Sequence, residues 1–420
     1  MPKISLTGWI LIAVVTGVLL GLWVHYNGTP AGIDAFAKTL SIITDDIFLR
    51  LIKMIIAPLV FTTLVVGVAH MGDTKSVGRI GGKAMIWFVS ASLVSLLLGL
   101  IMVNILRPGD NLNLPLPDAS ASTNLNAASL SLKDFVTHLV PKSAVEAMAN
   151  NEILQIVVFS LFFGVAAAAL GERAEGIVKI IDETSQIILT ITGYIMSLAP
   201  IAVFAAMAAT VTTQGIGILV TYGKYLVMFY LSLGVLWLVL IAAGIVFLGR
   251  TVFRLISLIR EPFLLGFSTA SSEAAYPVTM AQLEKLPVSK KIISFVLPMG
   301  YSFNLDGSMM YCTFATIFIS QAYNIPLSIP QQITMLLVLM LTSKGMAGVP
   351  RASLVVIAAT LVTFNLPEAG LLLIIGIDQF LDMGRTATNV IGNSLATAVI
   401  GRWEGETAET LGIPVEAQAA

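Results

Sequence analysis

The run Asp378-Gln-Phe-Leu-Asp382-Met-Gly-Arg385-Thr-Ala-Thr-Asn389-Val-Ile-Gly-Asn393 lies inside a mostly apolar stretch covering residues 371–403. Its polar members Asp378, Asp382, Arg385, Asn389 and Asn393 are spaced by four, three, four and four residues. At about 100° per residue, those side chains fall within an arc of roughly 80° on one helix face. Two acids, a guanidinium and two amides therefore form one polar stripe on a helix long enough to cross a bilayer. A charged side chain at mid-membrane costs at least about 2.5 kcal/mol, so such residues mark a cavity or a pathway. The plainer reading is a buried ion pair locking two helices together. It accounts for Asp382 with Arg385 but gives the two amides and the second acid nothing to do.

The composition agrees with a membrane setting. Of 420 residues, 57% are hydrophobic and 11% charged, and the mean hydropathy is +0.91. Soluble domains carry about 25% charged residues, so the chain reads as an all-α polytopic membrane protein. A net charge of −1 offers no surface for nucleic acid. The single cysteine, Cys312, excludes an internal disulfide and a multi-cysteine metal site, and His25, His70 and His138 share no ligand spacing. The first apolar segment, residues 7–25, is too long for a signal-peptide core and no small-residue cleavage site follows it, so it reads as a retained first helix.

Further apolar stretches cover residues 42–70, 84–106, 153–170, 177–211 and 218–248. Lys75, Arg79 and Lys83 in the loop 71–83, and Arg250, Arg254 and Arg260 after the sixth stretch, mark cytoplasmic connections. Residues 110–130 and 214–218 lack Lys and Arg and read as external. The first six helices thus alternate with the N-terminus inside. Residues 262–286 have basic flanks at both ends, Arg250, Arg254 and Arg260 before and Lys285, Lys290 and Lys291 after. The centre, Phe267-Ser-Thr-Ala-Ser-Ser-Glu-Ala-Ala-Tyr-Pro277, is small and polar. Such a segment dips in and returns, because irregular backbone at membrane depth survives only against protein or a wet cavity. A helix over 292–323 follows, interrupted at Asn304-Leu-Asp-Gly307. The unit then repeats with opposite polarity: residues 329–366 centre on Thr342-Ser-Lys-Gly-Met-Ala-Gly-Val-Pro350, and the striped helix comes next. Two broken hairpins, each followed by a long helix with intramembrane polar groups, are the signature of an inverted-repeat transporter. Arg402 suits a cytoplasmic C-terminus, and the polar tail 404–420 reads as disordered.

Asp382 and Arg385 offer one negative and one positive group to the same small volume. An amino acid with a second carboxylate fits that pair: its ammonium meets Asp382 and its side-chain carboxylate meets the Arg385 fork. A plain dicarboxylate gains nothing from Asp382. Thr386 and Asn389 can donate to an α-carboxylate, and Ser271 and Ser272 add donors at the hairpin tip, although serines at such tips are usually plain turn residues. Asp306, beside Gly307 and near Asn304, offers a carboxylate and loosened carbonyls to a small hard cation; a pairing with a neighbouring helix is its plainer reading. No nucleophile elbow, zinc-protease helix or phosphate loop is present, Gly78-Arg-Ile-Gly-Gly-Lys83 missing the required spacing. An intramembrane aspartyl protease built on Asp306 and Asp382 is the alternative from another class, but Arg385 one turn away would hold Asp382 ionised. An ion channel lacks any filter-like ring.

At these residues the chain closely resembles the dicarboxylate/amino acid:cation symporters, the glutamate transporter family. The likeness spans residues 7–404 and rests on Ser271-Ser272, Asn304-Leu-Asp-Gly307, Gly345-Met-Ala-Gly-Val-Pro350 and Asp382-Met-Gly-Arg-Thr-Ala-Thr-Asn389. The resemblance implies eight transmembrane helices plus two opposed re-entrant hairpins, a homotrimer and an elevator mechanism. A scaffold (residues 7–71 and 136–212) would hold a moving core (82–106 and 218–403, with hairpins at 251–287 and 328–366), the second hairpin being the external gate. It implies a pocket of Ser272, Ser308, Gly348, Val349, Asp382, Arg385, Thr386 and Asn389, with Ser271 beside it. Relatives that carry dicarboxylates without an amino group lack the Asp-x-x-Arg pair, which favours glutamate or aspartate here.

The departures from the family pattern concern the coupling ion. Sodium-coupled relatives carry Asp at the position of Asn393, and a Thr-Ser pair and a Tyr where this chain has Ala91-Ser92 and Phe88. Some place Arg near the first tip, where Ala270 stands here. The tip Ser-Thr-Ala-Ser-Ser-Glu-Ala and the Asn-x-x-x-Asn ending are similar to bacterial proton/glutamate symporters. The expectation is therefore proton coupling, with sodium coupling and C4-dicarboxylate transport as alternatives. Glu273, Asn304, Asp306 and Asn393 are the candidate coupling residues, with Glu273 placed first as proton carrier, although it can equally be a solvated tip residue. A glutamate thought to carry the proton in animal relatives corresponds to Cys312, a poor carrier. Lys344 reads as a solvent-facing gate residue and Asp378 as structural. No cofactor or resident metal is implied; the partners are an acidic amino acid and membrane lipid, and the location is the cell membrane.

Overall fold

The computed structural model describes residues 6–69, 74–110, 140–215, 222–343 and 352–406, and within them every regular element is helical. The N-terminal half comprises α1 (Leu6–Asn27), α2 (Pro30–Ser41), α3 (Arg50–Ala69), α4 (Thr74–Leu106), α5 (Ile153–Leu170), α6 (Glu175–Met196), α7 (Ala199–Gln214) and α8 (Gly223–Leu248). After them come α9 (Thr251–Leu258), α10 (Arg260–Thr269), α11 (Ser272–Leu283), α12 (Lys290–Phe303), α13 (Asp306–Ala322), α14 (Ile329–Thr342), α15 (Ala352–Thr363) and α16 (Asp378–Trp403). Five helical stretches, Gly8–Asn27, Pro30–Ala69, Lys75–Leu106, Ile153–Met196 and Gly223–Leu248, are long and apolar enough to cross a membrane. Large apolar side chains such as Leu19, Trp23, Phe162 and Val246 face outward, whereas every residue of α16 from Met383 to Gly401 is buried. The molecule thus hides its polar stripe and exposes hydrocarbon, as a bilayer requires.

Packing divides the helices into two groups. α1 lies against α7, and α3 against α5 and α6. α16 is the hub of the second group, touching α8, α10, α11, α12 and α13, while α13 also packs on α4 and α15. The groups meet where α10 touches α1 and α7, where α12 touches α3 and α5, and where α11 touches α3.

Several boundaries differ from the sequence expectation. The stretch 42–70 begins earlier, at Pro30: Thr29 caps the helix by accepting from Gly32 N, and a π-helical segment Ile42–Leu49 carries the chain into α3. The stretch 177–211 is two helices, α6 and α7, parted at Ser197-Leu198 just before Pro200, whose ring cannot continue a helix. Lys75, Arg79 and Lys83 sit on the first turns of α4 rather than in a loop. The striped helix starts at Asp378, after a short turn of helix over Leu372–Ile375 and a break at Gly376-Ile377. The tail starts ordered: Glu404 takes Arg79 and Lys83 at 2.7 and 2.6 Å, and Glu406 Oε2 accepts from Ser289 N at 2.7 Å. Its remainder, 407–420, lies outside the described residues, as do the expected external loop beyond Asp110 and the second hairpin tip.

The first broken hairpin is present. α10 ends at Ala270, left-handed at φ 50° and ψ 34°, and Ser271 then caps α11 by accepting from Ala274 N at 3.2 Å. α10 and α11 pack on each other and both on α16. α14 and α15 likewise pack together across the undescribed tip. The break between α12 and α13 is confined to Asn304 and Leu305, both non-helical.

Candidate functional site

The site forms where the break between α12 and α13 faces the buried stripe of α16. Side chains on a helix lean toward its N-terminus, so Arg385 lies back over the turn that carries Asp382 and Asp378. Its Nη2 donates to Asp378 Oδ1 at 3.2 Å and lies 3.1 Å from Asp382 Oδ1. The Tyr311 hydroxyl donates to the same Asp378 oxygen at 3.1 Å, and the Tyr311 ring lies 4.2 Å from the guanidinium carbon. A desolvated cation–π contact of this kind contributes about 2 kcal/mol. The two acids differ in access: the Asp378 side chain is 4% exposed and the Asp382 side chain 34%. Asp378 is thus a fixed anchor, and Asp382 faces the open side. Thr386 Oγ1 donates to Asp382 Oδ1 at 3.4 Å.

Arg385 Nε and Nη1 are buried and have no hydrogen-bond partner among the described residues. Leaving a buried donor unsatisfied costs about 1–3 kcal/mol. A planar carboxylate arriving beside Arg385 would recover that cost. The guanidinium is therefore half satisfied, and its unsatisfied half matches an anionic group.

One turn further along α16, Asn389 holds the start of α13. Its Oδ1 accepts from Gly307 N at 2.9 Å and its Nδ2 donates to Ser308 Oγ at 3.3 Å. Gly307 permits this approach, since a Cβ there would collide with the Arg385 carbonyl oxygen. Sequence reasoning expected Gly307 to loosen the backbone; it is helical, and the loosening falls on Asn304 and Leu305.

A second cluster lies beyond Asn389. Asn304 Nδ2 donates to Asp306 Oδ2 at 3.1 Å and to Asn393 Oδ1 at 3.3 Å. Ser95 on α4 donates to Asp306 Oδ1 at 3.2 Å. Asp306 and Asn304 are fully buried, and Asn304 Oδ1 has no hydrogen-bond partner among the described residues. Gly392 leaves room for the carboxylate, because a Cβ there would overlap Asp306 Oδ2. Ser92 donates to the Phe303 carbonyl at 3.4 Å, so α4 lines the break through Ser92 and Ser95.

The structure therefore brings Asp382, Arg385 and Thr386 together, joins Asn389 to Ser308, and gathers Asn304, Asp306 and Asn393. Glu273 stands elsewhere: its nearest ion partner is Lys53 on α3, at 4.0 Å, and its side chain is one quarter exposed. The Ser271 hydroxyl is engaged in its cap, and Ser272 opens α11. Gly348, Val349 and Lys344 lie outside the described residues. Tyr311 and Ser95 are site residues to which sequence reasoning gave no role, and Asp378, read from the sequence as structural, is bound to Arg385. Asp378 was visible as a member of the stripe, and Ser95 as the residue one turn beyond Ser92; nothing in the sequence marks Tyr311. No group of three or more His, Cys, Asp or Glu among the described residues is placed to hold a metal ion.

A family model described as the sodium:dicarboxylate symporter family matches residues 6–403. The chain is 41% identical to a C4-dicarboxylate transport protein of Laribacter hongkongensis, over 95% of this chain and 90% of that protein. It is 40% identical to a proton/sodium-glutamate symport protein of Bacillus caldotenax, over 98% of this chain and 97% of that protein. Identity to a C4-dicarboxylate transport protein of Burkholderia multivorans is 43%, over 94% and 91% respectively.

Proposed function

The chain belongs to the sodium:dicarboxylate symporter family, and on that premise we propose that it is a secondary active symporter, not an enzyme, that carries glutamate or aspartate with protons. The observation that supports this reading is Arg385 held between a buried and an accessible carboxylate with two donors unsatisfied. A ligand ammonium would draw Asp382 away from Arg385, and the ligand's side-chain carboxylate would take the released guanidinium edge, while Asp378 keeps the guanidinium in place. Thr386, Asn389 and Ser308, with Ser271 and Ser272 at the neighbouring tip, would take the α-carboxylate, and the family resemblance adds Gly348 and Val349 to the pocket. The C4-dicarboxylate reading has two of the cited relatives in its favour, but it leaves Asp382 facing an anion.

For the coupling ion, Asp306 is the favoured carrier. It is fully buried and accepts from the neutral groups of Ser95 and Asn304. Glu273, close to Lys53 and partly exposed, is the second candidate. The amide at Asn393 supports a proton over sodium, since it supplies one negative charge fewer to this cluster. The two helix groups support a scaffold and a sliding core, in the family's arrangement of eight spans and two re-entrant hairpins, assembled as a homotrimer in the cell membrane with both termini cytoplasmic.

Uptake into proteoliposomes tests the reading. Labelled glutamate or aspartate should accumulate under an imposed proton gradient, and succinate only weakly. Strong succinate uptake, or full accumulation driven by sodium alone at equal pH, would overturn the substrate or the ion assignment respectively.

A further inference from the structure

A second concavity lies at the far end of α16 from the Asp378 turn. It has a volume of about 370 Å³ and lies between the α8–α9 corner, the loop before α12 and the last turn of α16. Arg250, Arg254 and Arg402 line it against a single acid, Glu406, with Leu286 and Val288 in the wall. Arg250 stands at the corner that Gly249 turns at φ 59°, and Arg254 follows one helical turn later. Neither Arg250 nor Arg402 has a hydrogen-bond or ion-pair partner among the described residues. Glu406, which also accepts from Ser289 N, does not neutralise the cluster, because one carboxylate faces three guanidinium groups.

Solvated arginines at a helix end need no further purpose: Arg402 suits the negative end of the α16 dipole. That account does not explain why three arginines from two separate chain segments line one concavity with an apolar wall. Arginine forks give parallel N–H donors to phosphate oxygens, so a cavity lined by several of them suits a phosphate. The volume suits a small ligand or a headgroup. The concavity opens at the end of α8, one of the apolar spanning stretches, which is the depth of a lipid headgroup.

We infer that this cavity binds a phosphate group, delivered by an anionic phospholipid whose glycerol and upper acyl atoms rest on Leu286 and Val288. Free phosphate presents the same chemistry and is the competing source. A ligand here would bridge α9 to the end of α16, the helix that carries Arg385 at its other end.

The full-length protein would be placed in nanodiscs of phosphatidylcholine, of phosphatidylcholine with phosphatidylglycerol, and of phosphatidylcholine with inorganic phosphate in the buffer. Thermal unfolding and native mass spectrometry of retained lipid would be read for the wild type, R402Q, R250Q/R254Q, and a control pair R260Q/K285Q outside the cavity. Phosphatidylglycerol should raise the wild-type Tm and stay bound. Retention should fall about fivefold per arginine removed, and the control pair should behave as wild type. R402Q alters one exposed side chain, so an unchanged Tm in phosphatidylcholine shows that it folds, and its retention then reads the site alone. A Tm rise from inorganic phosphate that R402Q abolishes keeps the site and assigns it to free phosphate. Equal losses in the control pair, or no response of the wild type to either anion, would overturn the inference.

Discussion

Asp378→Asn removes one negative charge from the inner side of Arg385 while keeping the shape of the side chain. Two unit charges 3.2 Å apart attract by about 5 kcal/mol at an effective dielectric of 20. Desolvation takes back part of that, and a hydrogen bond to a charged group nets about 1.5–3 kcal/mol. With the fixed anchor gone, Asp382 becomes the only anion that Arg385 has among the described residues, so a ligand ammonium must compete for Asp382 against an undivided guanidinium. Taking about 2 kcal/mol as the cost, the apparent KM for glutamate or aspartate should rise about thirtyfold. Tyr311→Phe separates the two contributions of that tyrosine. The ring and its cation–π contact remain, and the hydrogen bond to Asp378 is lost, so KM should rise several-fold rather than thirtyfold. The measurement is initial uptake rate against substrate concentration in proteoliposomes, normalised to inserted protein. An Asp378→Asn variant with a wild-type KM would refute the anchor role. So would a variant whose only change is lower stability, measured by thermal unfolding.

Asn393→Asp restores a carboxylate beside Asn304 and Asp306, and a sodium gradient at equal pH should then stimulate uptake where it does little for the wild type; absence of stimulation would count against the ion assignment. Gly392→Ala places a methyl group where Asp306 Oδ2 sits, and overpacking of this kind costs about 1–3 kcal/mol, so thermal unfolding should shift down by several degrees and transport should be lost. Arg79 first, and Lys83 with it, hold the Glu404 carboxyl below the usual carboxylate range. A depressed folded-state value means that the stabilisation is complete above the unfolded pKa near 4.3 and fades as pH falls through the lower folded value. The stability difference between wild type and Glu404→Gln should therefore be constant from pH 8 to pH 6 and shrink only below about pH 4.

Local signals carried far in this chain, and they failed wherever a partner is remote in sequence. The break between α10 and α11 was legible because Ala270-Ser271 sits amid small polar residues. The break at Asn304 was legible because Asn-Leu-Asp-Gly is a poor helix sequence in an apolar context. The start of α16 at Asp378, seven residues later than expected from residue 371, had a signal in Gly376, which the surrounding run of leucine and isoleucine outweighed. Asp378 itself could not be assigned, since its second partner Tyr311 lies 67 residues away and no periodicity links the two. Equally out of reach were the partner of Asn389, Gly307, 82 residues away, and that of Glu404, which reaches back 325 residues to Arg79 and so orders the first residues of a tail that reads as disordered. The split between α6 and α7 was written in Pro200, but continuous hydrophobicity masked it.

The short non-helical step of Asn304 and Leu305 has a thermodynamic consequence. Asn389 grips the residues just after that step, and Asn393 grips the step itself, one helical turn apart on the same rod. A ligand that reorients Asn389 thereby tugs on Gly307 and Ser308, and an ion that settles at Asp306 tugs on the same few residues from the other side. On the proposed assignment of substrate to Asn389 and ion to Asp306, each occupant changes the landscape seen by the other. Linkage then requires the two effects to be equal: the factor by which the ion tightens the substrate is the factor by which the substrate tightens the ion. Stiffening or slackening that two-residue step would change both factors together, so obligate symport in this protein is expected to reside in a kink rather than in either pocket.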